Sequence, residues 1–158
     1  TSLANAGVDL LVAETMISIE ETMAALDAAR AVCDLPMMCS MTVSADGTGF
    51  FGGNAVEAME SLQAMGADAV GLNCSVGPDQ LEAVVRSMKE VAEVPVLVKP
   101  NAGMPTIDER GRAIYTMGEE AFAEAMMRLI KEGAWIVGGC CGTTPAYIHA
   151  LSEKMKML

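Results

Sequence analysis

One histidine, His149, is all that the sequence contains. Hydrolases built on a serine or cysteine nucleophile need an imidazole beside it. His149 lies within the last amphipathic segment, away from the ends of the apolar runs, so it is read as neither base nor ligand. Basic residues are scarce as well: 10 Lys and Arg stand against 21 Asp and Glu, a formal net charge of −11. The basic residues occur singly, and without a basic patch no nucleic-acid partner is expected. The same acidity discourages contact with anionic membranes. No apolar run reaches the roughly 18 residues of a membrane-spanning helix. The opening stretch, TSLANAGVDLL, lacks a basic n-region, a long apolar core and an initiator Met, so it reads as a cut chain without a signal peptide. No dinucleotide fingerprint or phosphate loop follows the first apolar run. The five cysteines, an odd number with two adjacent, make a poor disulfide framework. They suit a reducing, cytoplasmic compartment with thiols kept for metal or catalysis.

Aromatics are only 4% of a chain that is 52% hydrophobic, so Ala, Val, Leu, Ile and 14 scattered Met must build the core. Short apolar runs alternate with amphipathic segments. The runs Leu10–Glu14, Pro36–Val43, Ala69–Cys74, Pro95–Asn101 and Trp135–Cys140 are apolar at consecutive positions. Strands buried on both faces look this way. Helices are expected over Ser18–Val32, Asn54–Met65, Pro78–Val91, Thr116–Glu132 and Pro145–Lys156. Ser18 with Glu21 and Thr116 with Glu119 read as capping boxes. Asn54, Gly77 and Thr144 read as caps, the last two with proline at the first helical position. Five β-α units imply an α/β fold with a parallel sheet. A complete (β/α)₈ barrel takes about 250 residues, so 158 residues leave room for an open sheet or part of a barrel.

Parallel β-α folds gather functional groups at the C-terminal ends of their strands. Here those ends carry Glu14, Thr42, Asn73, Cys74, Asn101, Cys140 and Cys141. Neighbouring strand residues point to opposite faces, so Cys140 and Cys141 can share one ion only if the backbone turns sharply. Gly138, Gly139 and Gly142 permit that turn, and the helix opened by Thr143, Thr144 and Pro145 follows at once. Three readings stay open on spacing alone: a zinc site, buried structural cysteines, or an anion-binding loop without metal. Cys33 and Cys39 read as packing residues. Glu14 is either a solvated strand end or a carboxylate aimed into the mouth. Asn73 and Asn101 are either loop hydrogen-bonders or pocket contacts. Lys99 is read as a strand-end charge without a role.

Taken together, GLNCSVGP (Gly71–Pro78), KPNAGMP (Lys99–Pro105), GGCCGTTP (Gly138–Pro145) and DLLVAET (Asp9–Thr15) resemble the homocysteine-binding domain of homocysteine S-methyltransferases. The likeness is strongest to the cobalamin-dependent methionine synthase branch and runs over essentially the whole chain. It implies a (β/α)₈ barrel represented here by about strands four to eight, with residues 1–158 as its C-terminal part. It implies Zn²⁺ held by Cys74, Cys140 and Cys141, with Asn101 near the metal. It implies homocysteine as substrate, its amino group held by Glu14, and methionine as product; from their place at the strand ends, Asn73 and Asn101 are expected as further substrate contacts. The methyl donor it implies is a cobalamin and methyltetrahydrofolate system on another domain or protein, with S-methylmethionine or betaine as alternatives. Family strands one to three have no counterpart, so a second copy of the chain or another polypeptide is expected to complete the barrel. Without one, the chain is expected to be a zinc- and thiol-binding fragment that does not turn over.

Overall fold

The computed structural model describes residues 1–158. Five strands, β1 (Leu11–Met16), β2 (Met37–Met41), β3 (Ala69–Asn73), β4 (Val96–Lys99) and β7 (Ala134–Val137), form one parallel sheet in the order β1-β2-β3-β4-β7. The helices are a short α1 (Ser2–Asn5), then α2 (Ile19–Arg30), α3 (Ala55–Ala64), α4 (Glu82–Val91), α5 (Glu119–Lys131) and α6 (Pro145–Met155). Strands and helices alternate as the apolar pattern requires, and the sheet does not close.

The strands alternate between two environments. Cys39, Met41, Val70, Leu72, Val96 and Val98 face the helices and join the main core with Phe122, Met126 and Leu129. Met38, Ser40, Gly71, Asn73, Leu97 and Lys99 occupy the other register positions and line the opposite face. Met37, Met41, Met59, Met88 and Met126 are all buried, which is the packing role expected of a chain poor in aromatics. Gly71 is fixed by its neighbour: a Cβ there would stand 1.7 Å from the Leu97 carbonyl oxygen.

Element ends differ from the sequence reading where side chains compete with regular structure. β1 runs on to Met16, so Glu14 lies inside the strand rather than at its end, and the register with β2 breaks between Ala13 and Met16. β4 and β7 stop at Lys99 and Val137, before Asn101 and Cys140, because the chain turns off the sheet to build the mouth. The expected helix Pro78–Val91 divides into a 3₁₀ turn, Pro78–Gln80, and α4. The expected capping box of Thr116 and Glu119 does not form. The Met117 carbonyl instead accepts from the Tyr147 hydroxyl at 2.6 Å, and α5 starts after Gly118. Ser18 makes one arm of its box, accepting from the Glu21 N–H at 3.2 Å, while Asn54 and Glu57 make both arms. The sequence reading missed a small antiparallel hairpin, β5 (Thr106–Ile107) with β6 (Ala113–Ile114), because two-residue strands carry no readable period.

Both outer edges of the sheet are open. Beside β1 a groove of about 650 Å³ is lined mainly by apolar residues, among them Leu3, Val12, Ala25, Ala29, Val32 and Met37. Beside β7 a second groove of about 590 Å³ exposes Trp135, Ile136, Ile148 and Met155. Trp135 is 78% exposed, unusual for the largest apolar side chain of a domain. No helix is long and apolar enough to cross a membrane.

Candidate metal and substrate site

The site forms where three backbone segments leave the sheet. Cys74 follows β3 directly, with its N–H bonded to the Lys99 carbonyl at 3.0 Å. Cys74 and Ser75 both adopt left-handed backbone, at φ +65° and +64°. This conformation is rare for residues with a Cβ and clusters at functional sites. It turns Cys74 off the strand direction. On the far side, Cys140 donates its N–H to the Pro100 carbonyl at 2.8 Å, and its own carbonyl accepts from Thr143 N–H at 3.2 Å. Gly142, at φ +80°, supplies the left-handed third position that a type II turn requires. The adjacent cysteines therefore sit on a tight turn and not on a strand. Asn101 fixes the turn from the neighbouring loop, its side-chain oxygen accepting from the Cys141 N–H at 3.1 Å.

The result is a thiol cluster. The ligand atoms of Cys74, Cys140 and Cys141 all lie within 4.8 Å of one another, and the sulfurs of Cys74 and Cys141 are 3.7 Å apart. A tetrahedral zinc with Zn–S of about 2.3 Å spaces its sulfurs by about 3.8 Å, so the three thiols fit such an ion. All five cysteines are free thiols, so the adjacent pair is not a vicinal disulfide. Burial pushes the Cys74 thiol up to about 11, and Cys141 and Cys140 add to the shift. Three thiolates this close repel one another, and a bound cation would compensate their charge. Cys141 is exposed, which leaves a way in from solvent. Cys39 also rises to about 11 through burial, but it stands alone in the core. Cys33 donates to the Ala29 carbonyl within α2, and His149 is exposed on α6.

Glu14 forms an ion pair with Lys99, the residue to which the sequence reading gave no role. β1 and β4 are three strand spacings apart, about 14 Å along a flat sheet, so this contact requires the sheet to curve with both side chains on its concave face. Glu14 keeps 49% of its side chain exposed and retains room for a second cationic partner. Asn73 is buried between them, bonded to Thr15, Ser40 and Cys140. Thr42 ends near the mouth, but its N–H bonds to the Met16 carbonyl at 2.7 Å and serves the sheet.

Tyr115, at the end of the β5–β6 hairpin, was not visible from sequence because nothing marks that excursion as folding back. Its ring lies against Gly142, where a Cβ would stand 2.3 Å from a ring carbon. Burial raises its hydroxyl above the ordinary range, and Cys141 beside it adds to the shift. The hairpin thus covers the cysteine turn from outside.

A concave parallel sheet with three convergent thiols at its C-terminal mouth defines a half-barrel whose cysteine cluster could hold a metal ion. The family model described as homocysteine S-methyltransferase matches residues 1–155, and the chain belongs to that family. It is 34% identical over 155 residues to the methionine synthases of Mycobacterium tuberculosis and Mycobacterium leprae, covering 94% of this chain but 13% of each of theirs. Two structures of the homocysteine methyltransferase MmuM from Escherichia coli, an apo and an oxidized form, superpose with TM-scores of 0.78 and 0.80 at 25% identity. They cover 97% of this chain, and it spans 52% and 48% of theirs. The chain therefore corresponds to about half of that methyltransferase fold and a small part of the methionine synthases.

Proposed function

We propose that this chain is the zinc-bearing, C-terminal part of a homocysteine-binding (β/α)₈ barrel, and that the barrel transfers a methyl group to homocysteine to give methionine. The convergence of the Cys74, Cys140 and Cys141 sulfurs carries this reading. When bound, a zinc ion with three protein ligands supplies an open fourth position that takes a substrate thiol and lowers its pKa. Three thiolates leave the site net negative, which keeps an added sulfur electron-rich. The homocysteine thiol gives its proton to solvent, its sulfur forms the new bond to the methyl carbon, and the donor leaves with the electrons of the broken bond.

The remaining residues hold the amino acid. Glu14, anchored by Lys99, faces the substrate ammonium. The N-terminus of α6, immediately after the cysteine turn, meets its carboxylate. Asn101 holds Cys141 through the backbone and stands beside the metal position. The donor is a cobalamin and methyltetrahydrofolate system carried elsewhere, a reading supported by the likeness to two methionine synthases. The open edges at β1 and β7 receive the rest of the barrel, from the same polypeptide, a second copy or another chain. Free thiols at the centre suit a reducing, cytoplasmic setting. The test is methionine formation by the zinc-loaded full-length protein, given homocysteine and methylcobalamin. Product that disappears with Cys74→Ala is expected. Unchanged product formation in that variant would overturn the reading.

A further inference from the structure

Asn73 ends β3 and is only 1% exposed. Its Oδ1 accepts from the Thr15 N–H at 2.9 Å and from the Ser40 hydroxyl at 2.7 Å. Its Nδ2 donates to the Thr15 hydroxyl at 2.7 Å and to the Cys140 sulfur at 3.7 Å. Chemistry fixes this orientation: the Thr15 N–H can only donate, so oxygen faces it and the amide hydrogens face the sulfur. A primary amide offers two donors and an oxygen with two lone pairs. All four are used inside the protein.

The partners on one side are unusual. Thr15 adopts φ +58°, a left-handed conformation that β-branched residues rarely take. It sits in the register break between Ala13 and Met16 and directly follows Glu14. Asn73 grips Thr15 at both its N–H and its hydroxyl, so it holds the strained residue that sets the direction of Glu14. The same amide grips Cys140.

We propose that Asn73 is a positioning residue that couples the Glu14 strand to the Cys140 sulfur and does not itself touch substrate. What Glu14 binds rests on the homocysteine reading above; the coupling between Thr15 and Cys140 does not. Thr15 and Ser40 complete the clasp. A shift of the β1 break moves the cysteine, and a change at the cysteine moves the carboxylate.

Asn73→Asp keeps the acceptor for Thr15 N–H and Ser40 but replaces the donor to Cys140 with a carboxylate oxygen. In the metal-free full-length protein, alkylation of Cys140, followed residue by residue by mass spectrometry, changes severalfold because the N–H···S contact that orients the sulfur is replaced by a carboxylate oxygen that cannot donate. Alkylation of Cys141 changes less. Thr15→Ala removes only the hydroxyl and leaves the Cys140 contact in place. Coupling predicts that it nonetheless changes the Cys140 alkylation rate, and that it moves the sulfur-to-metal charge-transfer band of the cobalt-loaded protein. Both variants also weaken homocysteine binding if the proposed function holds. An unchanged Cys140 rate in Asn73→Asp, or a Thr15→Ala protein whose Cys140 rate and cobalt band both match wild type, overturns the clasp. A wild type that binds no homocysteine overturns the functional reading, while the Cys140 rates still decide the coupling.

Discussion

At the residue scale the site sets a carboxylate and an ammonium side by side, Glu14 and Lys99, on the concave face. The pair explains why a lysine stands at the end of an otherwise apolar strand. Under the proposed function it also sets the strength of the substrate contact. Lys99 holds one side of the carboxylate, so a substrate ammonium gains a pre-oriented acceptor. Glu14→Gln keeps the shape and removes the charge. It is expected to raise the homocysteine dissociation constant about tenfold, the loss of one charge-assisted contact at a half-exposed position. Zinc affinity should stay within about twofold of wild type, since Glu14 is no part of the thiol cluster. Isothermal titration with homocysteine, beside a chelator competition for the metal, checks both. Equal losses of substrate and metal would mean that Glu14 shapes the whole mouth and not one contact.

At the element scale one carboxylate ties three segments together. Asp68, just before β3, accepts from the Met37 N–H at 2.7 Å and pairs with Arg30 of α2 at 2.7 Å. Arg30 also donates to the Leu35 and Gly66 carbonyls, closing the loops on either side. The Met37 N–H, then Arg30, hold the Asp68 carboxyl below its usual value. A depressed carboxylate pKa contributes stability above the unfolded value and loses it as pH falls through the folded one. Asp68→Asn is therefore expected to lower stability near neutral pH by about 1 kcal/mol, a modest figure because Asp68 is half exposed and Arg30 only partly buried. The difference from wild type should shrink as the pH drops below about 4. Denaturant unfolding at neutral and acid pH reads it. A difference that persists unchanged in acid would assign the effect to packing.

The elements also show how far the sequence could be read. The β-α alternation was legible because every strand spells out a continuous apolar run, although only the inner strands β2, β3 and β4 are buried on both faces. Asn54 was legible as a cap because its box with Glu57 is local. Thr116 misled because its segment is held by Tyr147, thirty residues away, a contact that no local pattern encodes. The hairpin that brings Tyr115 over Gly142 was hidden for the same reason. At the mouth, the cysteines were legible through the glycines around them, while the partners of Lys99 and Asn73 depend on the curvature of the sheet.

At the scale of the whole molecule, the thiol cluster joins the end of β3 to the turn after β7, across the intervening β4. Sixty-six residues separate Cys74 from Cys140, as 140 − 74 = 66, so only the assembled sheet can bring them together. Metal uptake therefore reports on the fold as well as on the ligands. The open edges do not interrupt the cluster, since every strand that supplies a ligand lies within the five present. Thiolate ligation needs deprotonated sulfur, and burial pushes the Cys74 thiol up to about 11, so metal uptake is expected to release protons and to strengthen as pH rises.

Zinc stoichiometry by elemental analysis, on the reduced full-length protein and on Cys74→Ala, Cys140→Ala and Cys141→Ala, tests this most directly. The account predicts about one zinc per chain in wild type and a large loss in each single variant, because a catalytic site with three protein ligands has none to spare. Cys33→Ala, outside the cluster, should keep its metal. Wild-type protein that stays zinc-free after reconstitution, or a full complement of zinc in any one of the three variants, would contradict the shared site.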